Sequence, residues 1–216
     1  MTEQKKDCMG ERYLGCGLSD GTLRLHGTPG NALGTYLNGG RVEVFGNAQD
    51  ATGDTMNAGE IVIHGSCGDA AGYAMRGGAI YIEGDVGYRA GVHMKAYGDK
   101  SPALVVGGTA GSFLGEYQAG GTIVILNLSD RPRAVGDFAA VGMYGGRILV
   151  RGGAPDDLPA QVSARPAGGQ AIAAARGYIE EFCRCFGLKP DKILRCGFTE
   201  ITPDTKNPYK RLYVAV

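Results

Sequence analysis

A glycine pattern that returns every 19 residues limits what this chain can fold into. Gly-x-x-Gly-x-x-x-Gly occurs as Gly27, Gly30, Gly34, again as Gly65, Gly68, Gly72, and again as Gly84, Gly87, Gly91. Gly46, Gln49, Gly53 is a degenerate copy at the intervening phase. A fifth copy, Gly108, Gly111, Gly115, comes one period plus five residues later. Gly39-Gly40, Gly59, Gly77-Gly78 and Gly120-Gly121 keep a second phase, and Gly145-Gly146 follows 25 residues on. A short fixed period marks a solenoid, because one unit cannot bury its own apolar face and must stack on its neighbours.

Each repeat carries an apolar run of period two: Leu23/Leu25, Val42/Val44, Ile61/Ile63, Ile80/Ile82, Leu104/Val106, Ile123/Ile125 and Ile148/Val150. Such alternation of mostly β-branched residues predicts half-buried strands. The intervening residues, Arg24, Glu43, Val62, Tyr81, Val105, Val124 and Leu149, face the other way. Nineteen residues are too few for a strand–helix–strand unit, which needs about 30. They suit one coil of a parallel β-helix, with rungs about 4.8 Å apart. Equivalent residues then form columns, among them Leu37, Met56, Met75, Met94. Arg24 and Glu43, one period apart, are expected as an exposed rung pair.

Glycines are expected at the corners, where positive φ excludes most side chains. The competing reading is phosphate binding, which needs a glycine loop opening a helix. Strands, not helical patterns, follow these glycines, and no Gly-x-x-x-x-Gly-Lys-[Ser/Thr] occurs.

The expected organisation is an N-terminal lead-in (1–22), a solenoid of about seven coils (23–152), a proline-rich linker (153–167) and a helical cap with a tail (168–216). Insertions at Lys95–Ala103 and within Asn127–Gly145, the latter with Arg131, Pro132 and Arg133, map to protruding loops. They are partner-facing or merely tolerated. Ile172, Ala175, Ile179, Phe182, Cys183 and Phe186 have helical spacing, Gly187 is the stop, and Pro190 ends any continuation. Residues 198–202 read as a short extended piece. Pro208-Tyr209 and Leu212-Tyr213-Val214 are candidates to cap the solenoid's open end or to reach a neighbouring subunit.

A formal net charge of zero gives no support for nucleic acid or an anionic membrane as partner. No apolar run approaches the roughly 20 residues of a membrane-spanning helix. Met-Thr-Glu-Gln-Lys-Lys-Asp has no apolar region, so no secretory signal is expected. Six scattered cysteines point to reduced thiols in a cytoplasm.

Three groups of residues invite a chemical reading. His26 and His64 are two periods apart and share a column with Phe45, too far apart for one metal; His93 lies at another phase. Cys183, Cys185 and Cys196 are checked as cluster ligands, but Cys183 and Cys185 point to different faces of a helix and a fourth ligand is missing. Cys8 and Cys16 read as free thiols. Asp50 and Asp69, one period apart, would stand about 5 Å from each other, the spacing of a retaining glycosidase pair. Aspartate beside a corner glycine is equally ordinary turn chemistry. No catalytic, cofactor or metal residue is therefore assigned.

Gly27–Gly34, Gly65–Gly72 and Gly107–Gly121 resemble the GXGXG domain of the glutamate synthase large subunit. The resemblance covers 12–152, beginning at Arg12-Tyr-Leu-Gly-Cys-Gly17. Phe182-Cys-Arg-Cys-Phe-Gly187 and Pro208-Tyr-Lys-Arg-Leu-Tyr213 look like stand-alone prokaryotic versions of that domain. A similar repeat occurs in one of the subunits of formylmethanofuran dehydrogenase and in one of N-methylglutamate synthase. The resemblance implies an all-β, right-handed parallel β-helix without an active site. Such a domain holds a glutaminase against a synthase component, and the FMN and iron–sulfur cluster sit on those partners. It further implies glutamate biosynthesis by ammonia assimilation in a complex of several chains, with a homo-oligomer also possible. A free-standing carbohydrate-active enzyme is the remaining reading.

Overall fold

Each apolar run lies as a strand on the run before it. In the computed structural model, which describes residues 2–204, β1 (Thr2–Lys5) and β2 (Thr22–His26) begin the stack. β3 (Asn38–Phe45), β4 (Ala58–Ile63), β5 (Ala79–Ile82), β6 (Ala103–Val106), β7 (Ala119–Ile125) and β8 (Gly145–Arg151) follow. All eight pair in parallel and in sequence order, so the chain is a β-solenoid of about seven turns. Leu23, Val42, Ile61, Ile80, Leu104, Ile123 and Ile148 are successive register partners. From Val42 onward this column is buried, as are Leu37, Met56, Met75 and Met94. The lead-in carries β1, which starts the sheet before the first expected coil.

The opposite face of the sheet is covered as well. α1 (Gly169–Phe186) lays Ala171, Ala175, Ile179, Phe182 and Cys183 against Val62, Tyr81, Val105, Val124 and Leu149, forming a second apolar core. Gly187 ends α1 in the left-handed conformation (φ 67°), its N–H bonded to the Cys183 carbonyl. Pro190 does not simply stop the helical stretch: it opens α2 (Pro190–Leu194), at a first-turn position where no N–H is needed.

At the C-terminal end of the stack the strand direction reverses. β9 (Val162–Pro166) lies in the stretch expected as a linker, and β10 (Phe198–Pro203) inserts antiparallel between β8 and β9. Ile201 is fully buried here, and Ala154 and Leu158 pack against the same solenoid core. The proposed capping segments Pro208-Tyr209 and Leu212–Val214 lie outside the described residues.

The repeated glycines divide into two jobs. Gly34, third in its motif, has φ 62° and turns a corner as expected. Gly87, second in its motif, is not left-handed; a Cβ there would collide with Asp69 Oδ1 and with the backbone of Gly68. Other corner positions adopt positive φ without glycine, among them Ala32, Ala51, Ala70 and Arg89, one to a coil. The backbone ladder around the corner, such as Ala32 N–H to Asp50 O at 2.9 Å, holds them there.

Candidate functional site

The paired aspartates lie one rung apart, and each holds the next coil. Asp50 Oδ1 accepts the Asp69 N–H at 2.9 Å, and Asp69 Oδ1 accepts the Tyr88 N–H at 2.8 Å. A parallel column does the same work. Asn47 Oδ1 accepts the Ser66 N–H (2.9 Å), Ser66 Oγ accepts the Asp85 N–H (3.1 Å), and Asp85 Oδ1 accepts the Thr109 N–H (2.8 Å). Burial by itself raises the Asp85 pKa. The hydrogen bonds from Thr109 and the Arg131 guanidinium outweigh it and hold the carboxyl below its ordinary range. The 47–66–85–109 column was missed in the sequence, although its signal is plain: Asn, Ser, Asp and Thr recur at one phase.

His26, Phe45 and His64 share a column as expected, stacked at 4.8 Å per step. Phe186 of α1 closes the stack edge-on to His64 at 5.2 Å. Glu43 lies 3.4 Å from His64 Nε2 and also pairs with Arg24, the expected rung pair, at 3.1 Å. His93 belongs to a corner ladder, stacked on Tyr117 (5.2 Å) with Tyr73 edge-on (5.7 Å). On the neighbouring column Arg89 lies over Phe113 at 4.8 Å, and Phe113 stacks on Phe138 at 5.2 Å. These ladders join consecutive coils.

The cysteines occupy separate environments. Cys8 is buried beneath the first coil and donates to the His26 carbonyl. Burial pushes the Cys67 and Cys183 thiols up to about 11. Cys183 faces the second core, Cys185 lies 3.4 Å from an Arg41 nitrogen, and Cys196 lies 3.8 Å from Arg151. Three thiols in three different surroundings do not fit an iron–sulfur cluster. Among the described residues no group of three or more His, Cys, Asp or Glu converges on a point suited to a metal ion.

Both insertions fold back on the body. The first is pinned at Tyr97–Lys100 and accepts a hydrogen bond from the Tyr178 hydroxyl at Ser101 O (3.4 Å). In the second, the Asn127 side chain brackets the Arg131 backbone, and Arg131 reaches Asp85 at 3.0 Å. Arg133 pairs with Asp137, and Arg151 with Asp130 at 2.6 Å. This loop and residues 152–157 flank an open polar cleft of about 660 Å³. Its three arginines are already paired, Arg131 with Asp85, Arg133 with Asp137 and Asp157, and Arg151 with Asp130, which leaves no unpaired arginine for a small anion.

A family model described as "GXGXG motif" matches residues 5–204. A stretch of 130 residues is 42% identical to the uncharacterized protein MJ1350 of Methanocaldococcus jannaschii, covering 56% of this chain and 50% of the relative. The chain thus spans about half the length of the curated relative it matches. Among the described residues, no helix is long and apolar enough to cross a membrane.

Proposed function

The chain belongs to the GXGXG motif family, and from that premise we propose that it is a non-catalytic structural subunit of a glutamate synthase-type complex. It bridges a glutaminase-type amidotransferase chain and an FMN- and iron–sulfur-containing synthase chain in the cytoplasm. Those partners carry the cofactors and the chemistry of ammonia assimilation.

One observation carries this reading: the aspartates and histidines that invited a chemical role are engaged in joining coils. Asp50 and Asp69 hold the backbone of the following rung, and His26 and His64 stack through Phe45. Seven parallel rungs spaced about 4.8 Å apart make a stiff body of roughly 30 Å. A body of this kind suits fixing two catalytic chains at a set distance.

The test is affinity purification of the tagged chain from its native cytoplasm, with flavin and iron measured in the eluate. Co-elution of a glutaminase chain and a flavoprotein synthase, with no flavin in the isolated chain, is the expected result. Stoichiometric flavin in the isolated chain overturns the reading. Co-elution of a molybdenum or tungsten enzyme replaces it with the formylmethanofuran dehydrogenase assignment.

A further inference from the structure

Two of the segments that leave the 19-residue register meet at one groove. One wall is the excursion after β7, through Leu128 and Asp130; the other is the α1–α2 turn, through Leu188, Lys189 and Lys192. The groove holds about 420 Å³. Leu128 and Leu188 are 36% and 40% exposed, while Ile193 is buried. Two exposed leucines on opposite walls, above a buried isoleucine, offer an apolar seat that the solenoid itself does not use.

The charge on this seat is one-sided. Asp130, the only carboxylate lining it among the described residues, is held by Arg151 at 2.6 Å. Arg151 is spent further on the carbonyls of Leu126 and Asn127, both at 2.5 Å. Lys189 and Lys192 form no ion pair among the described residues. The groove therefore presents an apolar floor beneath two uncompensated ammonium groups.

We propose that this groove is a docking site for a partner polypeptide segment carrying an aliphatic side chain flanked by Asp or Glu. The aliphatic group seats between Leu128 and Leu188, and the acidic flanks meet Lys189 and Lys192. Electrostatic complementarity of this kind sets the register and orientation of the bound segment. The proposal rests on the scaffold reading for the partner's identity, but the groove is argued from its own shape and charge.

The experiment compares the full chain with Leu188→Asp and Lys189→Glu/Lys192→Glu, each checked for wild-type circular dichroism and melting temperature. All three positions are exposed, so folding is expected to survive. Affinity for the co-purified partner is measured, and a photo-crosslinking benzoylphenylalanine at position 188 maps the contacted segment. A loss of about tenfold or more in both variants, with an acidic-aliphatic segment captured, is the expected result.

Unchanged affinity, or a captured segment without carboxylates, overturns the groove and leaves the scaffold reading standing. Loss of affinity for a partner that is neither glutaminase nor synthase upholds the groove and removes the scaffold reading. Binding to phosphatidylglycerol vesicles that is lost in the double lysine variant overturns the protein ligand in favour of a lipid surface. A chain that captures no polypeptide overturns both.

Discussion

Glu3 is the register partner of Leu23, and so stands at the head of the core column that continues through Val42, Ile61 and Ile80. Lys5 heads the neighbouring column above Leu25 and pairs with Glu11 at 2.8 Å. Charged side chains on the core side of an edge strand discourage further strands from adding to it. Glu3→Val with Lys5→Val is expected to make the first coil sticky. Light scattering after size exclusion should show concentration-dependent association beyond that of the parent chain; a mass equal to the parent's would refute this.

Phe182 is fully buried between α1 and the outer face of the sheet. Truncating it to alanine leaves a void in a core made of few large residues. Phe182→Ala should cost about 3–5 kcal/mol in urea unfolding. Hydrogen exchange should then rise first in α1. A change below about 1 kcal/mol would mean that α1 contributes little to the body.

Gly87 and Gly177 predict opposite signs for the same substitution. A Cβ at Gly87 strikes Asp69 and the Gly68 backbone, so Gly87→Ala should destabilise by about 1–3 kcal/mol. Gly177 lies mid-helix in α1 with nothing within 4 Å of its added Cβ. Gly177→Ala should stabilise by about 1 kcal/mol. Melting temperatures of the two variants decide the point.

Asp85 supplies a pH test. Its carboxyl is held below the ordinary range in the folded chain, so the unfolded chain binds the proton more readily. Its stabilising contribution is therefore complete above the unfolded value of about 3.9 and disappears as pH falls through the lower folded value. The gap in urea midpoint between parent and Asp85→Ala should be full at neutral pH and close in acid. A gap independent of pH would mean the ionised carboxyl is not what matters.

Thiol reactivity should follow burial. Cys16 is exposed, whereas Cys8 and Cys67 are buried, as is Cys183, and the last two stay protonated at neutral pH. Iodoacetamide labelling followed by mass spectrometry should modify Cys16 first. Equal rates at Cys67 and Cys16 would contradict the packing of the coil.

Much of the solenoid was legible because its spacing in sequence is its spacing in space. Leu23, Val42 and Ile61 are 19 residues apart, and they are register partners. The stacking of His26 on Phe45 follows from the same identity. The non-glycine corners were not legible. Positive φ at Ala32 or Arg89 runs against local preference and is imposed by hydrogen bonds from neighbouring coils.

The sequence by itself determined the stack: its rung length, its inward columns, and a helix ending at Gly187. Each follows from a period or a local stop signal. Only the tertiary structure decided where the non-repeating pieces go. The run Val62, Tyr81, Val105, Val124, Leu149 departs from the Arg24 and Glu43 before it, yet which segment covers it has no local signature. That α1 covers it follows from two apolar faces that remain exposed until they meet. That β10 pairs with β8 satisfies backbone left unpaired at the last coil, a demand that no local sequence pattern announces.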